Sequence, residues 1–267
     1  MNEFDRSTPV TVSLRLQRGT ADLVAEDRPD IQVELTAEEG SDATDRFTVT
    51  LEGDTLAVHA PESTWNWRRT PEVHVLVRVP LDSALAAKSA AADIRASGRW
   101  STAQANTASA DVHVEDVTGD AHLKASSGDL TVNRVGGSLR ISSSSGDLRV
   151  GDVTRDVSAE TASGEIVIGR VGGSLQAGTA SGDVEVGVVS QGKTRLNTAS
   201  GDVSVGVAAG TGVWLDLNTA SGSTSSDLTM SGTRPDGIQQ ATLELRIRTA
   251  SGDIDVHRAT GDLHAAA

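Results

Sequence analysis

The sequence predicts an all-β protein: a single-chain β-solenoid of coils about 18 residues long, with a β-rich cap on its N-terminal side. Three observations predict it. A Thr/Ala-Ser-Gly-Asp phrase returns along most of the chain at a nearly fixed spacing. Apolar residues alternate at constant offsets behind each glycine of that phrase. Aromatic residues make up only 2% of the 267, so the interior must be thin layers of Val, Leu, Ile and Ala.

The N-terminal part carries alternating stretches without the phrase: Val10–Leu16, Ile31–Leu35, Phe47–Leu51, Leu56–Val58 and Val73–Val79. Alternation sends residues i and i+2 to one face, which is the pattern of a half-buried strand. Pro80 stops the last of these, because it has no amide to donate. Residues 1–80 are therefore expected to form a β-rich cap continuous with the solenoid, covering an edge that would otherwise invite aggregation.

Residues 81–267 are expected to be the solenoid. A faint coil at Ser89–Ile94 precedes Thr107-Ala108-Ser109-Ala110-Asp111, and the phrase then recurs with glycines at 128, 146, 164, 182, 201, 222 and 252. The early steps are 18 residues, followed by 19, 21 and 30. In the unit after Gly164, the apolar residues are Ile166, Ile168, Val171, Leu175 and Ala177. The units after Gly128 and Gly146 repeat those offsets, so each unit reads as two short strands with one inward face. At about 4.8 Å per coil, eight or nine coils give a body of roughly 40 Å. The glycine fits a turn that needs positive φ, the serine hydroxyl can bond nearby backbone, and the aspartate can satisfy turn amides. The period breaks between about 223 and 241, where Gly232 and Pro235-Asp236-Gly237 predict an inserted loop. Leu243–Ile247 and the coil at Gly252 then close the series. Trp100 and Trp214 are expected to pack within coils.

The strand Val73–Val79 running into Pro80, the 18-residue coils, Val213-Trp214-Leu215-Asp216-Leu217 and the ending Leu245–Ile254 together resemble the DUF4097 family of β-strand-repeat proteins, candidate adhesins, in particular its actinobacterial forms. The resemblance spans nearly the whole chain. It implies a β-helical fold, no catalytic residues and no agreed function; some relatives are linked to cell-envelope stress.

The remaining features narrow the function. The net charge is −14, with no concentrated basic stretch for a phosphate backbone, so nucleic acid is not an expected partner. The absence of cysteine removes disulfides and thiolate chemistry. No basic n-region or long apolar run is visible, so the expectation is a cytoplasmic protein without a transmembrane segment. The recurring acids Asp111, Asp129, Asp147, Glu165, Asp183 and Asp202 should stack into a ladder that is solvated, bonded to turn amides or neutralised by cations. Calcium wants six to eight oxygens, and each coil offers one evident carboxylate, so turn capping is preferred and no metal or cofactor is assigned. His113 and His122 read as exposed surface residues without an acid partner. The stretch from Val207 to Gly212 lacks the lysine and helix of a phosphate loop.

One segment stands apart. Thr64-Trp65-Asn66-Trp67-Arg68-Arg69-Thr70 places two of the four tryptophans beside two arginines in an acidic chain. Trp and Arg dominate interface hot spots, so Trp65, Trp67, Arg68 and Arg69 are the candidate binding residues. Burial over the open end is the competing use of the same side chains. The expected function is a non-catalytic scaffold or protein-interaction module with an unidentified protein partner. A ligand- or cation-binding module of adhesin-like or envelope-associated type is the alternative, and a polysaccharide-active enzyme comes third.

Overall fold

The computed structural model describes residues 1–37, 46–61, 72–228 and 242–259. Its strands belong to one sheet wound round an axis, and apart from the N-terminal cover every pairing along the stack is parallel. The chain is a β-solenoid.

Each coil follows the offsets in the sequence. Ile166, Ile168 and Val171 of strand Ile166–Val171 are buried, as are Leu175 and Ala177 of strand Leu175–Ser181. Parallel register stacks like on like: Ile166 lies on Leu148, Leu148 on Leu130, and Leu130 on Val112. Leu130, Leu148 and Ile166 are fully buried, each stabilising by about 1.5–3 kcal/mol. Columns of small β-branched and aliphatic side chains form the core, and this explains how a chain with so few aromatics holds together. Trp100 is the exception: it is wholly buried, with its indole N–H donating to the Ser97 carbonyl at 3.1 Å.

The stacking order departs from the chain order at both ends. On one face it runs 55–59, 11–16, 84–89, 102–109, 121–127, 139–142, 157–160, 175–181, 192–200, 243–251 and 213–221. Thr11–Glu26 thus sits inside the stack, between strands 55–59 and 73–80 on one side and Ala84–Trp100 on the other. Beyond it, Ile31–Ala37 pairs antiparallel with Val73–Pro80, Asn2–Phe4 with Ile31–Val33, and Thr48–Glu52 with Thr55–His59. These antiparallel strands cover the N-terminal end.

At the other end, the coil at Gly252 was expected to be last. It is the next to last in space. Strand 192–200 pairs with Leu243–Ser251, and Val213–Ser221 lies outside that strand. Burial selects this order. The inserted coil presents Leu243, Leu245, Ile247, Ile254 and Val256 to the interior, all buried. The outer coil has Thr224 and Ser226 in register with Ile254 and Val256, polar residues suited to an end that faces water. The long step from Gly222 to Gly252 contains the loop expected near 223–241, of which residues 229–241 lie outside the described residues.

Candidate functional site

The repeated phrase builds one corner of the solenoid. Its glycines have φ between 137° and 156° at positions 128, 146, 164, 182, 201, 222 and 252, a region open to glycine and costly for other residues. A Cβ on Gly164 would also drive into the carbonyl oxygen of Gly146 in the neighbouring coil. Ala110 takes the glycine position without a positive φ.

The aspartates form a relay from coil to coil. Oδ1 of Asp93 accepts from the Asp111 amide at 3.1 Å, Asp111 from Asp129 at 2.9 Å, Asp129 from Asp147 at 2.9 Å, and Asp147 from Glu165 at 3.0 Å. It continues from Asp183 to the Asp202 amide, from Asp202 to Asp253 and from Asp253 to Ser223. The amide bonds and solvent offset the repulsion between stacked carboxylates. Among the described residues no group of three or more His, Asp and Glu side chains is arranged to hold a metal. Asp253, bonded by both the amide and the hydroxyl of Ser223, has its pKa lowered by those bonds.

The hydroxyl that serves this corner is the threonine of the phrase, where the serine was expected. Thr161, Thr179 and Thr198 are buried and donate to the carbonyls of Gly146, Gly164 and Gly182, each at 3.3 Å. Ser163, Ser181 and Ser200 point to solvent. The signal was present: the inward offsets after each glycine, continued by two residues, land on the threonine.

Trp65, Trp67, Arg68 and Arg69 lie outside the described residues. Their attachment points are described. Nε2 of Gln17 donates to the Pro61 carbonyl at 3.0 Å, and Arg18 pairs with Glu72 at 2.9 Å. Adjacent residues of one strand therefore hold both flanks of the segment. Gln17, Arg18 and Glu72 also line a groove of about 1210 Å³, with Thr20, His74 and Asp93 among its polar groups and a floor of alanine and glycine.

Sequence reasoning missed a contact on that wall. Nδ1 of His74 lies 2.8 Å from the Thr20 hydroxyl, and its Nε2 lies 3.6 Å from Asp22. Hydroxyl, imidazole and carboxylate are in the order of a nucleophilic triad, but such a set needs free N–H donors for the oxyanion. Here the strand carrying Thr20 is paired on both sides. Of the three, Thr20 and His74 line the groove and present hydrogen-bonding groups to it. His113 and His122 are exposed, on strands of opposite faces. His59, on the face of Arg15, has its pKa lowered by burial and by that arginine's charge. Arg99 has its pKa raised by its hydrogen bonds to Asp82 and that carboxylate's charge.

Trp214 corrects an expectation: it is 45% exposed on the outer face, with the Arg246 guanidinium 5.2 Å from its ring centroid. Its strand position points outward because the neighbours Val213 and Leu215 take the inward positions. No helix among the described residues is long and apolar enough to cross a membrane.

The chain is similar in structure to a candidate adhesin from Bacteroides fragilis, with a TM-score of 0.49 at 10% identity, covering 96% of this chain and 95% of that one. A candidate lipid-binding protein from Parabacteroides distasonis gives 0.49 at 15% identity, with 96% and 95% covered. A candidate adhesin from Parabacteroides merdae gives 0.40 at 12%, with 96% and 94% covered. No curated protein matches the sequence. The repeat, the stacked corners and a match of residues 11–262 to the family's sequence pattern establish that the chain belongs to the Toastrack DUF4097 family.

Proposed function

We propose that the protein is a non-catalytic binding scaffold that takes a protein partner at the covered end of the solenoid, through the groove and the segment Trp65–Arg69. The observation that carries this reading is the anchoring of both flanks of that segment by Gln17 and Arg18, which also line the groove. The sequence between those flanks holds two tryptophans and two arginines, the composition of an interface hot spot. The solenoid supplies the rigid platform such a site needs. A cytoplasmic location belongs to the same proposal and is tested by fractionation of the source cells.

The experiment is affinity capture from cytosolic and membrane fractions. Wild type is compared with a variant carrying alanine at Trp65, Trp67, Arg68 and Arg69, and with an Arg195→Ala/Arg248→Ala control far along the stack. Loss of the same partner from the first variant alone supports the reading. Equal recovery by all three proteins, each shown to be folded, overturns it.

A further inference from the structure

We infer that the protein is a twofold dimer joined end to end through Val213–Ser221, the edge strand of the outer coil. This strand pairs with Leu243–Ser251 on one side and with no described residue on the other. Its inward residues Val213, Leu215 and Leu217 are only partly buried, whereas the equivalent Leu243, Leu245 and Ile247 one coil inside are fully covered. Apart from Met1, Trp214 on the same strand is the one exposed large hydrophobic side chain among the described residues. The opposite end has antiparallel strands over it. A nine-residue edge with an apolar inward side and no described partner is a template for another strand.

The strand is complementary to itself. An antiparallel twofold that pairs all nine residues must centre on Leu217, and a shift of one residue would turn the apolar side outward. In this register Leu217 meets Leu217 of the second copy. Leu215 meets Thr219 and Val213 meets Ser221, so the two interiors join. On the outer face Trp214 falls opposite Ala220, which leaves room for the indole. Asp216 falls opposite Asn218, which can donate to it, and no acid meets an acid. Thr224 and Ser226 keep the other half of the end wet, so the contact is confined to the strand face. The dimer points the two grooves away from each other, making a bivalent particle whose avidity exceeds either single contact.

The test uses the full chain in sedimentation equilibrium across a concentration series, with two variants at an exposed, outward position. Asn218→Asp places two acid pairs across the twofold and is expected to weaken dimerisation about three- to tenfold at low salt, less at high salt. Asn218→Lys turns the same contacts into ion pairs and is expected to tighten it by a similar factor. Melting curves unchanged at a concentration low enough to keep the protein monomeric establish that both variants are folded. A monomer at every concentration up to the solubility limit overturns the inference, as it would if residues 229–241 of the same chain took this edge. A dimer indifferent to both substitutions also overturns it.

Discussion

The backbone amide of Asp147 donates to Oδ1 of Asp129, one coil away, at 2.9 Å. Repeated at nearly every coil, this bond links the corner of each turn to the next. The relay has one break. The Glu165 amide donates to Oδ1 of Asp147, but no described side chain accepts from the amide of Asp183. Glu165 is one methylene longer than the aspartate that holds this position elsewhere in the relay.

Restoring the missing link is therefore expected to stabilise the protein. Glu165→Asp should add about 0.5–1.5 kcal/mol, the net worth of one hydrogen bond. Asp129→Ala should cost about 1–2 kcal/mol by leaving the Asp147 amide without its acceptor, while Asp129→Asn keeps an acceptor oxygen and should recover most of the loss. Thermal or denaturant melting of the three variants checks the order. Equal stability of wild type and Glu165→Asp would show that the Asp183 amide is already satisfied by water.

The glycine of the phrase is constrained twice. Gly164 has φ of 154°, and a side chain there would collide with the Gly146 carbonyl oxygen. Gly164→Val should cost upward of about 3 kcal/mol, combining backbone strain with displacement of the neighbouring coil. Ala162→Val, two residues earlier on an exposed position, should be close to neutral. Similar melting temperatures for both variants would contradict the stacked geometry of the corner.

The two tryptophans of the coils separate packing from surface. Trp100 is wholly buried, so Trp100→Ala should cost about 3–5 kcal/mol through lost contacts and a cavity. Trp214 is exposed over Arg246, and Trp214→Ala should change the stability of the folded chain by no more than about 1 kcal/mol. Denaturant titration of the pair at a concentration low enough to keep the protein monomeric measures the difference.

The strands and their inward residues were legible because one offset rule, repeated from Gly128 onward, reports the interior directly. The stacking order was less so. Nothing local tells Val213–Ser221 from Leu243–Ser251, since both alternate and both end in Thr-Ala-Ser. The difference lies in the following strands, where Thr224 and Ser226 stand against Ile254 and Val256, and it acquires meaning only when the two are compared as end and interior. Trp214 was misplaced for a related reason: its size suggested the core, but the parity of its strand sends it outward beside Arg246. The contact between Thr20 and His74 joins residues 54 apart, brought together by a register that no local pattern encodes.

Acid should loosen the outer coil before the rest of the solenoid. Asp253 has a folded-state pKa below its ordinary value of 3.8, held there first by the Ser223 amide and then by the Ser223 hydroxyl. A carboxyl with a depressed folded pKa contributes stability that is present above the unfolded value and is lost as pH falls through the folded one. The carboxylate therefore ties Ser223 to the inserted coil at neutral pH and releases it only below about pH 4. Hydrogen exchange at the Ser223 amide is expected to show protection that falls in that window. Asp253→Asn should remove the pH dependence at this amide. Protection at Ser223 that stays flat through the same window in the wild type would mean that packing of the outer coil, not the carboxylate, holds this turn.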